Sequence, residues 1–168
     1  MTKHVISRNG GKVRLIMLGV VIAIIFCFVY PLTKRFLFPV SKAIANLFIS
    51  LAIESSGTWM FVLTIMTNFI VTFLAAFVAG VLSGVIFLPR INSKWVTIAI
   101  SATTCSILLT YLVMIPKIEH ILAAPDAGVL VSYAIAPLVA GFGLFASIFL
   151  LSRIRQRLPS DQTGNSNE

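Results

Sequence analysis

Four long stretches of this chain carry no charged side chain: Leu15 to Leu32, Thr58 to Leu88, Trp95 to Pro116 and Val129 to Leu151. Each lies near or above the ~17–20 apolar residues that cross a bilayer as a helix, so four transmembrane spans are expected. The second is the longest and the most informative. It opens after Gly57, closes at Pro89-Arg90, and exceeds what a straight crossing needs, so it must tilt, bend or project. Its position and length make it the expected central span. Pro31 should stop the first helix at the interface, because proline disfavours the helical conformation of the residue before it. Pro137 removes a backbone donor from the fourth span and should kink it about one turn upstream, near Tyr133.

Between the first two spans, Phe36 to Ser56 approaches the hydrophobicity of a span but breaks its pattern. Lys42, Asn46, Ser50 and Glu54 recur at i+4, while Val40, Ala43, Ile44, Leu47, Phe48 and Leu51 fall on the opposite side. This predicts an amphipathic helix over about 40–54, lying in the membrane interface or packed on the bundle, with a fifth span or a re-entrant segment as the lesser alternatives. The fold class that follows is all-α: a four-transmembrane-helix bundle with an additional interfacial helix between spans 1 and 2. Residues 1–158 form one integral membrane domain. The polar tail from Pro159 to Glu168 has the composition of a disordered segment.

Inside the second span the polar positions are ordered. Thr64, Asn68 and Thr72 follow one another at i+4, and a run of small residues comes next: Ala75, Ala76, Ala79, Gly80, Ser83 and Gly84. Ala76, Gly80 and Gly84 form a small-xxx-small series, with Ala79 and Ser83 beside it, which lets another helix backbone approach closely. That partner is either another span of the same bundle or a helix of another molecule. Asn68 is the strongly polar side chain within a span, and it serves either as an interhelical hydrogen bond to a hydroxyl or as part of a solute pathway with Thr64 and Thr72. The third span is rich in hydroxyls (Thr97, Ser101, Thr103, Thr104, Ser106, Thr110), which can return hydrogen bonds to their own preceding turn.

Composition agrees with a lipid solvent. The 168 residues are 58% hydrophobic and 11% charged, with mean hydropathy +1.02, and no water-soluble domain of this size sustains that without large exposed apolar patches. The net charge of +8 does not point to nucleic acid, because the basic residues cluster beside apolar runs, where headgroups explain them. With four spans and an inside N-terminus, Lys3, Arg8, Lys12, Arg14, Arg90, Lys94, Arg153, Arg155 and Arg157 are inside, against Lys34, Arg35, Lys42 and Lys117 outside. The bias places both termini in the cytoplasm. Lys34, Arg35, Lys42, Arg153, Arg155 and Arg157 are the expected lipid-headgroup contacts. The first span is longer than a signal-peptide core and has no small-x-small cleavage site, so it is read as retained. A bacterial inner membrane fits best.

Candidate chemistry is sparse. Cys27 and Cys105 form no Cys-x-x-Cys pair and read as small packing residues. Ser83 precedes Gly84, but no histidine falls in a span to act as its base. Glu119, His120 and Asp126 share one loop without the spacing of a metal site. No enzyme, cofactor or metal is expected. The chain reads as a small polytopic membrane protein acting through helix contacts: an accessory subunit, assembly factor or inhibitor of a larger membrane complex, with the bilayer and a membrane-protein partner or a second copy as its contacts. The alternative is a small homo-oligomeric channel or transporter, its pathway lined by Asn68 and the Thr and Ser residues.

Overall fold

A computed structural model describes residues 3–52, 57–87, 95–117, 123 and 127–157. Helix α1 spans Lys3–Phe36, α2 Phe38–Ala52, α3 Gly57–Val85, α4 Trp95–Met114 and α5 Ala127–Arg157; a 3-10 turn, Ile115–Lys117, ends α4. Four of these are long and apolar enough to cross a membrane: α1 over Gly11–Phe36, α3 over Phe61–Val85, α4 over Trp95–Met114 and α5 over Leu130–Arg157. The short α2 is the interfacial helix of the bundle. The tail from Pro159, together with Glu54, Arg90, Lys94, Glu119, His120 and Asp126, lies outside the described residues.

Two helix ends differ from the sequence expectation. Helix α1 does not stop at Pro31 but continues to Phe36. Proline deletes one backbone donor, whereas unwinding a turn in lipid would expose several unsatisfied groups, so continuing the helix is the smaller cost. Nor is the break between α1 and α2 a true loop. The Leu37 amide donates to the Thr33 carbonyl at 2.9 Å and the Ser41 amide to the Leu37 carbonyl at 2.9 Å, so helical hydrogen bonds bridge the bend. Pro39 sits in the first turn of α2, where a missing donor costs nothing. In α5 the helix runs unbroken through Pro137.

The spans form a ring in which α1 touches α3 and α4, and α5 touches α3 and α4. Their shared core contains Ile22 and Phe26 from α1, Ala76 and Ala79 from α3, Ile98 and Ala102 from α4, and Leu144 and Ile148 from α5. Large side chains from three helices thus fill the space left by alanines on the fourth. The most enclosed helix is α5, not α3: half (50%) of its most apolar stretch is buried, against 22% for each of the others. Two glycines explain this. Gly141 faces Ile107 and Thr103 of α4, while Gly143 faces Ala76 and the backbone of α3. Two positions apart on a helix point to nearly opposite sides, so α5 makes close approaches to two neighbours at once.

Candidate functional site

The small-residue series of α3 is turned inward. Ala76, Ala79, Gly80, Ser83 and Gly84 are all buried, and a Cβ added to Gly80 would run into Ser147 of α5 and lie 3.2 Å from the Leu144 Cα. A Cβ on Gly84 would lie 2.6 Å from a Leu151 methyl, and one on Gly143 would lie 2.8 Å from the Ala76 Cβ. The pairs Ala76 with Gly143, Gly80 with Ser147 and Gly84 with Leu151 advance together by four residues, so α3 and α5 run parallel with one ridge seated along the other. Ser83 and Ser147 satisfy their hydroxyls within their own helices, on the Ala79 carbonyl at 2.7 Å and the Leu144 carbonyl at 2.7 Å. Of the two partners considered for this series, the one seated on it is a span of the same chain.

The polar series of α3 divides between neighbours. Asn68 Nδ2 donates to Ser132 Oγ of α5 at 3.3 Å. Thr72, buried, has its side chain beside the Tyr30 hydroxyl of α1. Thr64 lines a cleft with Asn68. Depth follows from the pairing: Thr72 lies level with Tyr30, and one further turn, about 5.4 Å, brings α3 to Asn68 and α1 to Lys34 and Arg35. The Asn68–Ser132 bond therefore lies toward the α1–α2 end of the bundle, level with Lys34 and Arg35. At mid-depth the core is closed by the apolar side chains of the cluster above, Phe26, Ile22 and Leu144 among them.

The cleft itself lies between α2 and α3, with a volume of about 190 Å³, and is lined by Ser41, Ala45 and Phe48 on one side and Leu63, Thr64, Thr67 and Asn68 on the other. Thr67 Oγ1 donates to its own-helix Leu63 carbonyl at 2.8 Å. Helix α2 meets α3 along the edge carrying Ser41, Ala45 and Phe48 instead of along its whole apolar side. Lys42, Asn46 and Ser50 are exposed, as the polar stripe requires, but Val40 and Leu47 are exposed too. Large apolar groups on the same two helices stand open: Phe38 on α2 and Trp59, Phe61 and Met66 on α3.

The hydroxyls of α4 line no common path. Ser101, Ser106 and Thr110 donate to carbonyls one turn back, Ile98 at 3.1 Å, Thr103 at 3.3 Å and Ser106 at 2.7 Å, while Thr103 Oγ1 is enclosed without a hydrogen bond. At the two membrane faces, Lys34, Arg35 and Lys42 are exposed at the α1–α2 bend, and Arg153 and Arg157 at the end of α5 with Arg155 half-buried between them. Arg153 also stacks over the Phe149 ring, 5.2 Å from its centroid. Cys27 and Cys105 are free and half-buried. Among the described residues no cluster of three or more His, Cys, Asp or Glu is assembled.

Three contacts carry no mark in the motifs considered above. Gly19 of α1 packs on Ser101 and the Ile98 carbonyl oxygen, a Cβ there being 3.0 Å from that oxygen. Tyr111 Oη donates to the Ala134 carbonyl at 3.3 Å, tying α4 to α5. The third is Tyr30 with Thr72. A signal for the α3–α5 seam was present in Gly143 and Ser147, themselves a small-xxx-small pair.

This arrangement defines the class: an all-helical integral membrane protein with four spans and one interfacial helix. No family model matches the chain, and no curated protein and no solved structure matches it.

Proposed function

We propose that this small polytopic membrane protein acts through helix–helix contacts, as an accessory subunit, assembly factor or inhibitor of a larger membrane complex. The observation that carries this reading is the mixed cleft between α2 and α3, lined by Ser41 and Asn68 among apolar side chains, with Phe38, Trp59 and Phe61 exposed on the same two helices. The Asn68 amide has further hydrogen-bonding capacity beyond its one bond to Ser132, and large apolar groups at the headgroup level forfeit burial. A partner helix with a hydroxyl or amide in its apolar face answers both. The seam of α3, already occupied by α5, is not the partner surface in this reading. The role is non-catalytic. Both termini are assigned to the cytoplasm of a bacterium, from the excess of basic residues at the two termini and in the loop between the second and third spans.

The test is purification from native membranes in mild detergent, with the mass of the intact particle determined and co-purifying proteins identified. A stoichiometric larger partner is expected, lost when Ala45→Trp fills the cleft while yield and melting temperature hold. A homo-oligomer without a partner overturns the reading in favour of the channel or transporter. That alternative has less to draw on: the α4 hydroxyls of Ser106 and Thr110 bond their own helix, and a pathway would have to form between copies.

A further inference from the structure

Between α1 and α4 lies a second and larger depression, about 430 Å³. We propose that this groove holds one acyl chain of an anionic glycerophospholipid whose phosphate is bound by Lys34 and Arg35. The walls are hydrocarbon: Ile24, Cys27, Phe28 and Pro31 on α1 face Leu109 and Val113 on α4. Two hydroxyls reach it: Thr110, which donates to the Ser106 carbonyl, and Tyr30, which lies beside Thr72. Below its mouth the groove therefore asks nothing of a ligand but apolar surface, which suits a lipid tail better than a protein helix bearing polar groups. Its volume falls in the range of formed ligand sites, roughly 300–1,000 Å³.

Length and charge select the occupant. From Ile24 to Lys34 the helix rises about 15 Å, which is half of the ~30 Å hydrocarbon core and hence one leaflet. The ridges that wall the groove lead directly to the two cations: Ile24, Phe28, Pro31 and Arg35 follow at four, three and four residues, and Cys27, Tyr30 and Lys34 at three and four. Both cations are exposed. No acidic residue occurs on α1, α2 or α4, so none of these helices brings a carboxylate to Lys34 and Arg35. The bend into α2, bridged by the Leu37 and Ser41 amides, holds Lys34 and Arg35 where the chain meets the headgroups. A neutral zwitterionic lipid would fill the same groove but carry its own ammonium to the two cations.

The experiment uses the full chain in vesicles of phosphatidylcholine and phosphatidylglycerol, one of the two brominated in its acyl chains. Trp59→Phe removes the exposed native reporter, and Phe28→Trp, at a position 74% exposed, places a new one on the groove wall; the difference between this protein and its Trp59→Phe parent isolates the quenching at residue 28. Brominated phosphatidylglycerol should quench it on the order of tenfold more effectively per mole than brominated phosphatidylcholine, as two basic side chains at a headgroup supply. The preference should vanish in Lys34→Gln/Arg35→Gln and be absent when the reporter is Leu82→Trp on α3. Equal quenching by the two lipids overturns the proposal, as does a preference that survives the double substitution. Absence of quenching by either lipid, with a second copy or a partner helix covering residue 28, overturns it as well. Ile24→Trp, on the same wall, gives the same readings should Phe28→Trp fail to insert. Because the groove and the α2–α3 cleft lie on different helix pairs, loss of the protein partner leaves this result unchanged.

Discussion

Gly143 lies against Ala76 so closely that a Cβ on the glycine would be 2.8 Å from the alanine Cβ, 3.0 Å from the Phe73 carbonyl oxygen and 3.1 Å from the Phe77 nitrogen. Two of those three atoms are backbone and have no rotamer through which to escape. Gly143→Ala should therefore force α3 and α5 apart and destabilise the bundle by about 1–3 kcal/mol. Gly11, with nothing within 4 Å of its would-be Cβ, supplies the control, and Gly11→Ala should be neutral or slightly stabilising. Unfolding by dodecyl sulfate in mixed micelles, followed by helical ellipticity, distinguishes the two.

One turn along the same seam the obstacle is a side chain. A Cβ at Gly80 meets the Ser147 hydroxyl first and the Leu144 Cα, at 3.2 Å, next. Removing the serine side chain should relieve most of the clash, so Gly80→Ala and Ser147→Gly should be less destabilising together than their separate effects sum to, with a coupling of about 1 kcal/mol. Additive effects in the same unfolding assay would show that the two residues do not share the seam.

The polar contacts should matter far less to stability than the seam. Asn68→Ala and Ser132→Ala each remove one hydrogen bond at 3.3 Å, and interhelical bonds of this kind average ~0.6 kcal/mol. Tyr30→Phe and Thr72→Val should likewise cost little, because each keeps the packed bulk of the side chain and removes only a hydroxyl. If Asn68→Ala leaves the bundle's unfolding almost unchanged yet releases a co-purified partner, the amide serves the cleft more than the fold.

Phe26 is fully buried at the centre of the ring, beside residues of α3 that are alanines. Phe26→Ala leaves a void that neither Ala76 nor Ala79 can fill, at a cost of about 3–5 kcal/mol by analogy with buried aromatic truncations. Phe28→Ala, two residues on and largely exposed, should cost little. Thermal aggregation in detergent provides the comparison.

What the chain discloses about itself follows the physics that each feature obeys. Solvent choice is written in long uncharged runs, so the four spans and the amphipathic α2 are legible without coordinates. Small residues at i+4 disclose that α3 packs closely, but not on what, because partner choice depends on which neighbour offers a matching gap. Gly143 and Ser147 did. The same dependence hid the central position of α5, whose Gly141 and Gly143 face two different helices. Pro31 misleads in a different way: its local preference is for ending a helix, and the surrounding hydrocarbon overrides it. The depth of Asn68 also required a neighbour, since only the pairing of Thr72 with Tyr30 fixes the level of α3 against α1.

The parallel seam has a consequence for how the protein is made. Gly80 and Ser147, like Ala76 and Gly143, are 67 positions apart in the chain, and spans are delivered to the membrane in the order of synthesis. Until α5 arrives, α3 waits with its glycine ridge bare, a surface that any other small-residue helix fits. Completion of the final span is thus the event that locks the bundle, and a nascent chain stalled before Gly143 presents the membrane's proteases and chaperones with an open face that the finished protein never shows.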